Sequence, residues 1–206
     1  MPAIEITDFD QLCTATADYL NRADLTDQIP VFVRFAESQF NRELRVRDMM
    51  TRAYTTSANE LVELPDDWLE HFSLTTADGG VIEYMTEANS NRFKGDGMTG
   101  ETFGYTVVGN AIELVPAPGS DMELRMVYYA RIPHLGPTQP SNWLLAKYPD
   151  VYLYSVLVQA MPYLKDDARL ATWIQLRAAM IESMRLESEA SLRPRGSPLI
   201  ARVRAF

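Results

Sequence analysis

The sequence predicts an α+β fold in which a four-helix core carries a small antiparallel β insertion domain and ends in an extended C-terminal arm. Three observations carry this reading. Apolar residues recur at three-and-four spacing in two stretches near each end of the chain, as one face of a helix requires. Between them, short β-like runs are separated by Gly, Pro and Asn turn signals. After the last helical run, Pro194, Gly196 and Pro198 break the pattern, and Leu199 to Phe206 alternates as a strand does. The changes of period divide the 206 residues into a helical core (1–50 and 141–192), a β-containing insertion and connector (51–140) and an arm (193–206).

In the first zone, Thr7 with Asp10 three residues on resembles a capping box, opening a helix through Leu12, Ala15 and Tyr19. Thr26 is expected to cap a second helix, with Pro30 in its first turn, where a missing N–H costs little. Ile29, Phe32, Val33, Ala36, Phe40 and Leu44 share one face of it, while Arg34, Glu37, Ser38, Asn41 and Arg45 are expected to face elsewhere. The middle zone offers strands at 49–57, 60–64, 72–77, 81–84, 105–108, 112–115 and 122–131. It also offers a helical turn at Leu64–Leu69, a short helix at Thr86–Phe93 and a mobile Gly-rich loop at Lys94–Gly100. That loop lacks the residue order of a phosphate or calcium loop. Past the Pro-rich connector Pro133–Pro140, a helical turn at Asn142–Lys147 leads to a helix carrying Leu153, Val156, Leu157, Ala160, Met161 and Leu164, which Pro162 should kink or end. Lys165–Asp167 makes a turn, and a last helix over 167–189 turns Leu170, Trp173, Ile174, Ala178, Ile181 and Met184 inward.

Composition restricts the function. With 47% hydrophobic and 23% charged residues, the chain is an ordinary globular one, and no apolar run approaches the roughly 20 residues of a membrane span. The N-terminus shows no basic region leading into an apolar core, so a cytosolic product is expected. A net charge of −9 opposes tight binding of nucleic acid through its phosphates, because that affinity comes from Lys and Arg. An acidic surface is nevertheless compatible with DNA that slides past without sticking.

The residue types that would carry catalysis are thin. Cys13 stands alone, which excludes an internal disulfide, and two distant histidines give no zinc set; Cys13 is expected as a small buried residue. His71 and His134 have no spacing that ties them to Cys13 or to a serine, so structural or surface roles are expected. Asp8 with Asp10, and Asp66 with Asp67, are better read as caps and first-turn charges than as cation ligands. Tyr148, Tyr152, Tyr154, Tyr163 and Trp173 lack interleaved Lys or Arg, which favours core and interface over a base-stacking platform. No catalytic residue, cofactor or metal is therefore assigned, and an enzyme is not expected.

The arm differs from the rest. Its four charges, Arg193, Arg195, Arg202 and Arg204, are all positive, whereas the remaining 192 residues hold 15 Lys and Arg against 28 Asp and Glu. A basic, apolar, extended segment on an acidic body suits insertion into a neighbouring subunit. The residues expected to make that contact are Arg193, Arg195, Leu199, Ile200, Arg202, Val203, Arg204 and Phe206.

Three segments resemble a known family. The run Leu25-Thr26-Asp27-Gln28-Ile29-Pro30 through Arg45, the segment Leu64-Pro65-Asp66-Asp67-Trp68-Leu69, and Lys147-Tyr148-Pro149-Asp150 up to Asp167 are similar to the head-to-tail adaptor (connector) proteins of tailed bacteriophages. The resemblance covers about residues 7 to 190. It implies a helical connector core with a β-containing insertion, assembled as a ring of twelve under the portal protein ring in the virion, with double-stranded DNA in the bore and tail proteins below. It brings no active-site motif. Within such a ring, some of Glu37, Glu43, Asp166, Asp167, Glu182, Glu187 and Glu189 are expected to face the channel, and the insertion to lie outside. The alternative is a non-catalytic oligomeric scaffolding or regulatory module.

Overall fold

The computed structural model describes residues 5–57, 59–95, 100–164 and 168–192. The chain separates into two compact units, one formed by the residues up to Asp48 together with those from Ile132 on, the other by Met49–Arg131.

The helical unit holds α1 (Phe9–Leu20), α2 (Ile29–Glu43), α4 (Trp143–Lys147), α5 (Pro149–Gln159) and α6 (Leu170–Leu192). Its start is one residue from the expected place. Asp8, not Thr7, is the N-cap of α1 and accepts from the Gln11 N–H at 2.8 Å, while the Gln11 side chain takes the N–H and hydroxyl of Thr7. Asn21 ends the helix in the left-handed conformation, φ 53°. The expected Thr26 cap is replaced by a 3₁₀ segment, Ala23–Gln28, that runs directly into α2 with Pro30 in its first turn. The predicted apolar face of α2 is buried at Ile29, Phe32, Val33, Ala36, Phe40 and Leu44.

Helix α5 is the axis of this unit, packing against α1, α2, α4 and α6. It buries Val151, Tyr152, Leu153, Ser155, Val156 and Leu157, a nearly all-round pattern that only a central helix can satisfy. The helix ends at Gln159, and Pro162 sits in a 3₁₀ turn, Met161–Tyr163, beyond it. Helix α6 buries a narrow seam at Trp173, Ile181 and Met184; Ile174 and Ala178, expected inside, are exposed.

The second unit contains α3 (Glu87–Gly95) and seven strands: β1 (Met50–Ser57), β2 (Leu61–Glu63), β3 (Trp68–Thr76), β4 (Val81–Tyr84), β5 (Gly104–Val108), β6 (Ala111–Val115) and β7 (Met122–Ala130). They form one sheet in the order β1-β7-β3-β4-β5-β6-β2 that curls into a nearly closed barrel. Most neighbours are antiparallel, as in β1 on β7 from Met50↔Tyr129 to Ser57↔Met122, but β4 and β5 run parallel. The parallel pair is possible because the crossover between them contains α3. Gly109, at φ 61°, opens the two-residue hairpin between β5 and β6 with the left-handed backbone that position needs. The barrel interior is a core of Val62, Leu64, Leu74, Ile82, Tyr105, Ile112, Leu114, Leu124, Met126 and Tyr128.

The expected fold class is therefore corrected. Instead of a four-helix core with a small antiparallel insertion, the described residues form six α-helices and a seven-stranded, barrel-like, mixed sheet. The β-like runs were visible one by one, but alternation within a run carries no information on its distant partner or on closure. The turn expected at Asn142–Lys147 is a helix, α4, and the short helix expected at Thr86–Phe93 is α3. The helical turn expected at Leu64–Leu69 is a tight turn, Trp68 N–H to Pro65 C=O at 2.9 Å, and Trp68 already begins β3. Residues 96–99 of the Gly-rich segment and the turn at 165–167 lie outside the described residues.

Candidate functional site

The most organised polar site lies in the helical unit, where the Pro-rich connector passes α2. Pro133, Pro137 and Pro140 interrupt this stretch, whose own backbone pairing is the isolated bridge Gly136↔Gln139, so side chains must satisfy the rest of its buried backbone. Two side chains of α2 do so: Asn41 Oδ1 accepts from Ile132 N–H at 2.9 Å, and Glu37 Oε1 accepts from Leu135 N–H at 2.7 Å. The second carboxylate oxygen of Glu37 lies 2.8 Å from His134 Nδ1, and the Tyr152 hydroxyl approaches Oε1 at 3.3 Å. Asn142 completes the clasp. It caps α4 by accepting from Leu145 N–H at 2.9 Å, and its amide donates to Pro133 C=O and to the Tyr152 oxygen, each at 2.7 Å.

Glu37 is 0% exposed, which reverses the expectation that it faces away from the core or lines a channel. Its position, four after Val33 and three before Phe40, places it on the buried stripe. Burial first, and the Glu37 carboxylate second, hold the Tyr152 phenol far above its ordinary range, so it stays a hydroxyl donor. Both Glu37 oxygens are occupied by the connector and Tyr152. The clasp therefore positions backbone and leaves no oxygen facing a substrate.

A second polar set fastens α6. Glu43 pairs with Arg177, whose Nε donates to Ser155 Oγ at 3.1 Å, and Arg185 donates to the Glu43 carbonyl at 2.9 Å, satisfying the C-terminal end of α2. Glu43 is thus committed to an internal pair. Ser188 Oγ accepts from Arg47 N–H at 2.7 Å, and Lys147 bridges Asp48 at 3.0 Å and Glu187 at 3.1 Å. Hydrogen bonds, first from Lys147 and then from Tyr148, hold the Glu187 carboxyl below its usual range.

The remaining candidates are dispersed. Cys13 is half-buried on α1, and its thiol is pushed up to about 11, by burial and then by Asp10. His71 stacks on Tyr84 with centroids 4.4 Å apart and meets Tyr105 edge-on, an aromatic cluster rather than a base beside a nucleophile. Asp67 accepts from Tyr128 Oη at 2.8 Å. Tyr152 packs edge-on against Phe40, Tyr154 against Tyr19 and Tyr163 near Phe32, while Arg169 lies over Trp173, so the five aromatic residues form no common platform. Among the described residues no group of three or more His, Cys, Asp or Glu is placed to hold a metal ion, and no helix is long and apolar enough to cross a membrane. The arm residues Arg193, Arg195, Leu199, Ile200, Arg202, Val203, Arg204 and Phe206 lie outside the described residues.

The sheet unit instead presents surface. Tyr54, Leu61, Phe72, Val81, Tyr84, Phe103 and Val108 are all exposed. Lys94 of α3 bridges Glu60 and Glu113, tying the helix to the β6 side of the barrel. One depression of about 510 Å³ lies beside Tyr54, Thr56, Ala77 and Glu123, and a second of about 340 Å³ lies between β1 and the segment Glu63–Asp66.

Both units are spanned by one family model. It describes the SU10 adaptor protein and matches residues 7–202. No curated protein matches the chain.

Proposed function

The chain belongs to the SU10 adaptor protein family of phage head-to-tail adaptors, and from that membership we propose that it docks beneath the portal as a ring of twelve, continues the DNA channel and gives the tail its attachment surface. The match over residues 7–202 carries this reading. Three features support it. The helical unit is fastened at its connector and along α6, as the framework of a ring subunit would need. The sheet unit carries exposed apolar side chains, which suit contact with tail proteins or neighbouring subunits on the outside of the ring. Glu182 and Glu187 on α6 are exposed and would give a bore that does not grip phosphate. The arm, through Arg193, Arg195, Leu199, Ile200, Arg202, Val203, Arg204 and Phe206, would lock the subunit to the portal or to its neighbour.

Native mass spectrometry of the chain, alone and mixed with portal rings, tests the proposal. Twelve copies retained on one portal ring are expected. A stable small oligomer without portal affinity would replace this reading with a scaffolding or regulatory module, and tight, salt-sensitive duplex binding by the isolated chain would contradict the non-gripping bore.

A further inference from the structure

The two ends of the sheet are unlike. Among the described residues β1 has one strand neighbour, β7, and β2 at the opposite end has one, β6. At three residues β2 is blunted by its own shortness, whereas β1 runs for eight and leaves a row of backbone donors and acceptors without a ladder on its far side. Proteins ordinarily guard such an edge with Pro, Lys, a bulge or an inward-pointing charge. Strand β1 contains neither Pro nor Lys and pairs with β7 without a register shift from Met50↔Tyr129 to Ser57↔Met122. Its inward residues Thr51, Ala53 and Thr55, opposite buried Tyr128, Met126 and Leu124, are uncharged, and its one charge, Arg52, belongs to the outer face.

The free side of β1 opens on the groove of about 340 Å³, where Ala53, Leu64 and Met126 give an apolar lining. Glu63 and Asp66 are the charged residues of that lining, both exposed, and no cation stands among them. A row of backbone groups asks for an extended chain, since only a strand repeats its donors and acceptors at the same interval. The two sides of that strand then differ in chemistry. Residues turned inward meet the apolar lining, while residues turned outward lie beside two carboxylates that favour Lys or Arg. A second copy of this chain could bring its own β1 edge, but β1 on β1 is a two-fold contact that closes a dimer, not the heterologous contact from which a ring is built.

We propose that β1 receives an added strand from a tail protein, an extended segment of up to about eight residues that is apolar toward Ala53, Leu64 and Met126 and carries Lys or Arg toward Glu63 and Asp66. The choice of a tail protein rests on the adaptor reading above; the receiving site is defined by the sheet edge alone.

The test is hydrogen exchange of the full chain, read on residues 50–57 by mass spectrometry, with end-blocked octapeptides as probes. One alternates Val with Lys, one alternates Val with Glu, and one has the Val and Lys of the first gathered into two blocks. About half of the β1 amides, those on the free side, should exchange fast in the chain alone, and excess alternating Val–Lys peptide should slow them about tenfold. The other two peptides should not. Glu63→Lys with Asp66→Lys should reverse the preference, so that the Val–Glu peptide protects and the Val–Lys peptide fails, whereas the same reversal at exposed Glu87 and Glu101 should leave the preference as it was. Absence of protection by the alternating Val–Lys peptide, or equal protection by all three, overturns the inference. Protection that rises with the concentration of the chain itself, without peptide, gives the edge to a second copy and overturns it equally. The partner is tested by Thr55→Lys, which places a charge at the exposed edge: tail joining should fall about tenfold or more, and tail joining equal to that of the parent chain overturns the assignment to a tail protein. Rings on the portal are counted separately by native mass spectrometry in the same variants, so that intact rings with an unprotected β1 refute this contact and leave the ring reading standing.

Discussion

In the helical unit a carboxylate, Glu37, is 0% exposed with both oxygens engaged, whereas the buried polar side chains of the sheet unit are the hydroxyls of Ser90, Thr102 and Thr106, and its charges stay at the rim. The difference follows from where each unit's backbone finds its hydrogen bonds. Strands pair with strands, so the sheet satisfies its own N–H and C=O groups and can bury apolar side chains. The Pro-rich connector has only the isolated bridge Gly136↔Gln139 among the described residues, and α2 lends side chains to it. A few polar contacts therefore hold the connector of the helical unit, while many mutually supporting ladder bonds hold the barrel. The first arrangement is brittle to single substitutions. The second tolerates change on its surface, which is what a contact surface that fits different partners requires.

The largest effect should come from breaking the clasp. Glu37→Ala strands the Leu135 N–H and leaves Tyr152 without its carboxylate neighbour, and should cost about 3 to 5 kcal/mol in urea denaturation. Glu37→Gln, whose carbonyl can still accept from Leu135, should recover a substantial part. A loss below about 1 kcal/mol for Glu37→Ala would break the comparison between the units.

Apolar truncation should not separate the two units. Leu157 of α5 and Leu114 of β6 are each 0% exposed, so Leu157→Ala and Leu114→Ala should each cost about 2 to 5 kcal/mol. Similar losses would confine the contrast to the polar groups. A smaller term tests the corrected start of α1: Asp8→Ala should lose about 1 kcal/mol and Thr7→Ala less, read from the same denaturation curves.

What the residues disclosed in advance divides along the same line. The burial stripe of α2, the place of Pro30 and all seven β runs follow from local period, because a strand or an amphipathic helix writes its own pattern. Glu37 also carries a local signal, its spacing from Val33 and Phe40, but its charge points the other way. Its partners, His134, Leu135 and Tyr152, lie roughly a hundred residues away and are brought together only by tertiary folding. The sheet order was illegible for the same reason: nothing in β1 names β7 as its partner, and nothing in β4 announces a parallel neighbour. The start of β3 was misplaced because Pro65-Asp66-Asp67 suits a helical first turn and a tight turn equally well.

Cys13 adds a chemical check on the helical unit. With its thiol pushed up to about 11, roughly one molecule in a thousand carries the thiolate at pH 8, so labelling by a thiol reagent should be slow there and quicken as the pH approaches 11. Fast labelling at pH 8 would mean that α1 opens readily and that the unit is less rigid than its polar clasps imply.

The smallest expected effect is the sharpest test of tolerance in the sheet unit. Tyr54 on β1 is 70% exposed and Val81 on β4 is 71% exposed, so neither side chain has much burial to lose. Threonine, itself β-branched, keeps the strand preference that aromatic Tyr54 and β-branched Val81 supply. Tyr54→Thr and Val81→Thr should each change stability by no more than about 0.5 kcal/mol. If the barrel surface is a contact surface, the same two substitutions together should still weaken tail joining in an assembly assay, a loss of association with no loss of fold. A large fall in the denaturation midpoint would instead show that these side chains hold the barrel itself, and the division between a brittle helical unit and a tolerant surface would fail where it is most exposed.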